Sequence, residues 1–292
     1  MAATFGNTEN TDWKYVDSGT AAASVNVPIP AVSSGALIVI VGYIDSSSAL
    51  FATPTDFTSG FAGGNAEGGL GIFTKTVTGS EGWGGGSATV TLSRSGGADA
   101  IIQAIALRIT GHNTTTPYNV GAQSTATGGS NWNSPTITTT EAGCLLFFGG
   151  ACRDTAGTFS SGAEPDTTSL VKQWATSASW LGLAVESQTS AGATGTRQWT
   201  NTNSPKRTFS FAIAPASATA LSITSVTPST FDSGVTGIVI AGSGFGATQG
   251  SSTLTIGAQA QTVTAWGDTS ITFTSARGSN SVGNAQLTLT KV

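Results

Sequence analysis

Residues 34–45 run SGALIVIVGYID, and residues 142–154 run AGCLLFFGGACRD. The first stretch is apolar from Ala36 to Ile44 except for Gly42, is rich in β-branched residues, and is closed by Asp45 and the serines after it. A short continuous run of this kind, bounded by turn residues, reads as a buried β-strand, and it is far too short to cross a bilayer. The second stretch reads the same way, with Cys144 and Cys152 near its two ends. On a continuous strand the rise of about 3.3 Å per residue keeps two such sulfurs too far apart to bond. Both cysteines are therefore expected as buried, reduced thiols that pack as small hydrophobes.

Further strands are expected over residues 13–17, 23–27, 70–77, 88–93, 100–109, 136–140, 181–189, 194–199 and 208–214. Beyond these, strands are expected over 223–227, 237–241, 253–256, 261–265, 270–275 and 286–290. Helical periodicity is nearly absent, and short strands separated by Gly, Asn, Asp and Pro specify an all-β sandwich or barrel. The two opening stretches also belong to two similar series. LGIFTKTV (70–77) answers LGLAVESQ (181–188), ATVTLS (88–93) is set against TGTRQWT (194–200), and AIALRI (104–109) against FSFAIA (209–214). The offset stays near 108 residues, the pattern of an internal duplication. The expected layout is a duplicated, jelly-roll-like β-sandwich region over 1–215, with repeats at about 1–112 and 113–215. A small-residue linker follows at 216–220, and then a separate module over 221–292.

Composition narrows the function. Charged residues make up 9% of 292, with 11 basic against 15 acidic and a net charge of −4. A nucleic-acid partner requires a basic footprint, and no run of Lys or Arg supplies one. No membrane partner is expected either, since no apolar segment is long enough to span. The N-terminus MAATFGNTENTDW lacks the basic start and apolar stretch of a secretory signal.

His112 is the single histidine, which removes most imidazole-based catalysis and the usual zinc sites. It lies in the loop phrase TGHNT, and no G-x-S-x-G nucleophile elbow accompanies it. Glu141, Glu164, Asp166 and Glu186 could serve glycoside cleavage only if two of them faced each other across a cleft, and nothing in the sequence pairs them. Asp154, Glu164 and Asp166 share one long loop but lack calcium-loop spacing, so they read as solvated acids. No catalytic residue, metal or cofactor is therefore assigned. Of the seven tryptophans, Trp180, Trp199 and Trp266 lie at strand positions or strand edges and are expected in the core. Trp83, in EGWGGG, and Trp132, between Asn131 and Asn133, are expected at the surface. There an indole can anchor a protein interface or stack on a sugar.

Residues 223–246 read ITSVTPSTFDSGVTGIVIAGSGFG. This segment resembles the start of an IPT/TIG domain, an immunoglobulin-like fold. The matching positions are Ile223, Val226, Pro228, Gly234, Ile240, Gly242, Gly244, Phe245 and Gly246, followed by Val263, Trp266, Asp268, Ile271, Phe273, Gly283, Leu287 and Leu289. The same stretch imitates a G-x-G-x-x-A dinucleotide fingerprint, but TQGSS after it cannot open the helix that fingerprint needs. The resemblance implies spacing, docking or adhesion rather than chemistry.

The preceding region resembles a β-sandwich unit of tailed-phage structural proteins. GALIVIVGY, TPTDF (53–57), LGIFTK, ITGHNTTTP, SWLGLAV and RTFSFAIAP carry that resemblance. Together the two resemblances imply a non-enzymatic virion protein on the particle exterior, a capsid decoration or cement protein or a head or tail fibre component, assembled in the host cytoplasm. Its implied partners are other capsid or tail proteins and further copies of itself, with host surface polysaccharide as a weak contact. The alternative is a carbohydrate-binding adhesin, in which loss of Trp83 or Trp132 weakens glycan binding.

Overall fold

The computed structural model describes residues 3–6, 11–65, 68–126, 131–152, 160–164, 170–175, 180–200, 206–216, 221–246, 248–257, 259–276 and 287–290. The chain forms two compact units, Met1–Ser217 and Ala218–Val292. In the first half of the larger unit the strands are β1 (Trp13–Asp17), β2 (Ser24–Pro28), β3 (Leu37–Ile44), β4 (Leu50–Phe51), β5 (Thr58–Asn65), β6 (Gly68–Thr76), β7 (Thr89–Ser95) and β8 (Ile102–Ile109). They build a five-stranded sheet in the order β1-β8-β3-β6-β5 and a three-stranded sheet in the order β2-β7-β4. The antiparallel pairings β1 with β8, β2 with β7 and β3 with β6 are those of one long double ladder wrapped into two sheets. That wrapping is a jelly roll.

The second half repeats this order. Its strands are β9 (Tyr118–Ala126), β10 (Asn131–Ser134), β11 (Thr138–Thr139), β12 (Cys144–Cys152), β13 (Ser160–Glu164), β14 (Leu170–Ala175), β15 (Trp180–Gln188), β16 (Gly192–Ala193), β17 (Arg197–Thr200) and β18 (Lys206–Ile213). The five-stranded sheet runs β14-β15-β12-β18-β9 and the three-stranded sheet β10-β17-β13, with β11 and β16 as a small extra pair. Read from the other end, the five-stranded order is β9-β18-β12-β15-β14, strand for strand that of the first half.

The two five-stranded sheets pack face to face. Leu37, Val39, Val41 and Tyr43 of β3 share one buried cluster with Leu145, Phe147 and Ala151 of β12 and with Phe209, Phe211 and Ile213 of β18. The opposite face of β3 turns Ile38, Ile40 and Ile44 into an outer core beneath its own three-stranded sheet, with Val25, Val27, Phe51 and Leu92. Likewise Cys144, Leu146, Phe148 and Cys152 of β12 fill the outer core of the second half. The unit is thus four layers of sheet, three-five-five-three, with three apolar cores between them. Burial on both faces explains why β3 and β12 are continuous apolar runs without polar alternation. Cys144 and Cys152 are buried at opposite ends of β12.

Two expectations need correcting here. The pairing of residues 104–109 with 209–214 is out by one position: Ile109 stands opposite Leu37, whereas Ile213, not Ala214, stands opposite Leu145. A one-residue slip on a strand exchanges its faces, and Ile109 and Ile213 both belong to the central core. Strands β4, β5, β9, β10, β13 and β14 are also missing from the expected set.

The smaller unit is a separate sandwich. β19 (Ser222–Thr227), β20 (Ile238–Ser243), β23 (Thr262–Trp266) and β24 (Ser270–Thr274) form one sheet in the order β19-β20-β24-β23. β21 (Thr253–Ile256), β22 (Gln259–Ala260) and β25 (Leu287–Thr290) form the other, ordered β22-β21-β25. Ile238, Ile240, Phe245, Leu254, Ile271 and Phe273 make its core. The corner at 242–246 is latched from both sides. Trp266 donates its indole N–H to the carbonyls of Phe245 and Gly246, at 3.2 and 3.0 Å, and Asp268 accepts from the Gly246 N–H at 2.8 Å. Gly244 and Gly246 adopt positive φ, but Gly242 does not. It is needed for another reason, since a Cβ there would run into the Ser222 carbonyl and the Phe245 ring.

Candidate functional site

Among the described residues, those singled out by sequence are spread over both halves of the larger unit. Trp83 opens a 3-10 turn, Trp83–Gly85, flanked by Gly82 and Gly86 in the left-handed region. The turn folds the indole back onto the outer core of the first half, with its ring 6.4 Å from that of Phe57 and the Lys75 ammonium 5.6 Å from its centroid. Trp83 is therefore half-buried, not the freely exposed indole expected, because the glycines around it supply the reversal that brings it home. Asn131, Trp132 and Asn133 lie on β10, at the edge of the outer sheet of the second half, with Trp132 opposite Trp199 in register. The side chains of Asn131 and Trp132, like those of Trp174, Trp180 and Trp199, fall outside the described residues. Asn133 is exposed, and its carbonyl accepts a hydrogen bond from the Thr208 hydroxyl at 2.9 Å. Trp83 lies in the first half of the larger unit and β10 in an outer sheet of the second.

Among the candidate acids, the side chains of Glu141 and Glu186 are described and have separate surroundings, while that of Glu164 lies outside the described residues. Glu186 binds the Arg197 guanidinium, which lies 5.8 Å over the Phe148 ring and closes the outer core of the second half. Glu141 sits beside Cys144, whose thiol is pushed up by burial and then by that carboxylate. Asp154 and Asp166 lie outside the described residues. Among the described residues no three His, Cys, Asp or Glu side chains are grouped to hold a metal ion. His112 is buried and pairs with Pro215 as an isolated bridge, tying the start of the 111–117 loop to the end of the second half. Its Nε2 is 3.5 Å from the Thr76 hydroxyl, its Nδ1 has no partner among the described residues, and burial holds its pKa below the usual histidine value.

Beside that histidine lies a feature that sequence reasoning missed. A cleft of about 310 Å³ is lined by Asp56, Thr58, Thr74, Lys75, Thr76 and Thr78 from β5, β6 and their flanks, and by Thr114, Thr115 and Pro117 from the loop before β9. Strand alternation places Thr74 and Thr76 on the same side of β6. The loop wall is shaped by Asn113, whose side-chain oxygen accepts the N–H groups of Thr115 and Thr116, each at 3.0 Å. Lys75 reaches Asp56 at 3.4 Å and Glu81 at 3.5 Å, so its charge is met by two carboxylates. Burial would raise the Glu81 pKa, but the N–H groups of Thr78, Glu81 and Gly79 and the Thr78 hydroxyl outweigh it and hold the value at about 2. Asp56 is held at φ 64°, the one positive φ among described residues other than glycine. The signal was present in TKTVT and NTTTP, but the two phrases are separated in sequence and meet only in the fold.

Residues 221–291 match the IPT/TIG domain family. Together with the sandwich of Ala218–Val292, this makes the smaller unit an IPT/TIG immunoglobulin-like domain. No curated protein and no solved structure matches the chain.

Proposed function

We propose that this chain is a non-enzymatic structural protein on the exterior of a bacteriophage particle, present in many copies and acting by docking to other virion proteins. The observation that carries this reading is the four-layer block. Two jelly rolls of identical strand order are fused through their larger sheets, which is what an internal duplication produces, and an IPT/TIG domain follows as a second unit. Jelly rolls recur in capsid and lectin domains, an analogy at the level of fold. A block of this kind offers broad, sparsely charged outer surfaces for subunit contact, and the sheet edges it leaves open are protected when neighbours cover them. The IPT/TIG domain clamps a neighbour or makes a weak host contact, and weak contacts gain strength from copy number.

Immunogold labelling of intact particles with antibody raised against the chain tests the exterior placement. Labelling without disruption supports the reading, and labelling that requires opened particles overturns it. A second reading, a carbohydrate-binding adhesin, is favoured by one observation, the hydroxyl-lined cleft beside His112.

A further inference from the structure

We propose that the threonine-lined cleft of the first jelly roll binds a neutral saccharide, one sugar unit at a time. The inference deepens the adhesin reading and is independent of the virion assignment, so its failure leaves that assignment standing. Three properties of the cleft select this ligand class.

The first property is the state of the lining hydroxyls. The side chains of Thr58, Thr74, Thr114 and Thr115 line the cleft and make no hydrogen bond among the described residues. Each hydroxyl both donates and accepts, and so does each hydroxyl of a sugar, so a polyol can be matched along the wall in either direction. A hydrophobic ligand would strand these groups without partners.

The second property is charge. Among the described residues Lys75 is the only cation in the lining, and it already faces Asp56 and Glu81. An anion would meet the Asp56 carboxylate in the lining and an ammonium already neutralised by Asp56 and Glu81. A divalent cation would meet that ammonium and no grouped acids among the described residues. For a neutral polyol the carboxylate is useful. The Asp56 carboxylate is exposed and can accept from two adjacent hydroxyls.

The third property is size. About 310 Å³ lies at the lower end of the range of small-molecule sites, roughly 300–1,000 Å³. It suits a single ring rather than an extended chain. The affinity expected of a shallow polar site is millimolar, made effective by display of many copies.

Saturation-transfer NMR on the full chain tests this, with glucose, galactose, mannose and N-acetylglucosamine as neutral probes. N-acetylneuraminic acid and inorganic phosphate serve as charged probes, each at about 10 mM so that a millimolar constant is exceeded. Asp56→Asn removes the carboxylate charge and keeps a residue that tolerates positive φ, and Thr115→Val removes an exposed hydroxyl at little cost to folding. At least one neutral sugar is expected to give transfer. Asp56→Asn should weaken that signal by about tenfold or more, the loss of a charge-assisted hydrogen bond, and Thr115→Val should weaken it less. Trp132→Ala should leave it unchanged. Absence of transfer from every neutral sugar overturns the proposal, as does displacement of the sugar by phosphate. Transfer that survives both cleft variants, or is lost in Trp132→Ala, places the sugar elsewhere and overturns it equally.

Discussion

His112 shows what a single buried titratable side chain does to this protein. Its pKa in the folded chain is lowered by burial, so the folded state prefers the neutral ring. Above a pH of about 6.5 the ring is neutral in folded and unfolded chains alike and stability is undiminished. As the pH falls below that value the unfolded chain takes up the proton first, and stability is lost until the folded pKa is passed. Thermal melting of the larger unit should therefore fall between pH 7 and pH 5, and His112→Leu should flatten that dependence. A wild-type protein that gains stability over this range would contradict the assigned burial. Gly42 is the matching case in packing. It lies opposite Gly71 on β6, and a Cβ at Gly42 would stand 2.7 Å from Leu92 and 3.1 Å from the Phe51 ring. Gly42→Ala should cost about 1–3 kcal/mol in urea titration, the usual penalty of overpacking. Gly85→Ala, with no atom within 4 Å of its added methyl, should cost much less.

Among the strands, legibility followed position in the sheet. β3, β6, β8, β12, β15 and β18 lie inside the five-stranded sheets and are apolar on one or both faces, so their residues announce them. Three of the four edge strands, β5, β9 and β14, carried no such signal. β5 reads TSGFAGGN, and its glycines answer to a close approach rather than to a strand pattern, since the Tyr118 ring lies directly against Gly60. β9 reads YNVGAQSTA, polar enough to pass for a loop. The cleft was illegible for a different reason, because its two walls are brought together by the strand order and not by sequence spacing. The central core carries its own consequence. Phe147 and Phe211 stack at 5.0 Å in the cluster to which both halves contribute. Residues 1–112 alone would expose Leu37, Val39, Val41, Leu107 and their neighbours to water, a patch far larger than a stable monomer carries. That fragment should aggregate or bind the dye ANS strongly, whereas residues 1–217 should melt in a single calorimetric transition. Two separate transitions within residues 1–217, together with a soluble, dye-silent fragment, would show that the halves do not depend on each other.

At the scale of the whole molecule, the sequence carried the division into a large β-region and an IPT/TIG domain because the family's corner is written in residues that the structure uses. Phe245 is buried, Trp266 and Asp268 latch the turn, and Ile271 and Phe273 complete the core. The fusion of the two jelly rolls was written only as repeated apolar runs, whose common purpose appears when both faces of β3 and β12 are found covered. A rigid block of this size with few charges, joined to a small immunoglobulin-like domain, is suited to repeated docking on an ordered surface, the central claim of the functional reading. Quantitative mass spectrometry of purified phage particles that encode the chain tests it most directly. The account predicts the chain in the particles at a fixed ratio to a major capsid or tail protein, and its absence from them would contradict the account.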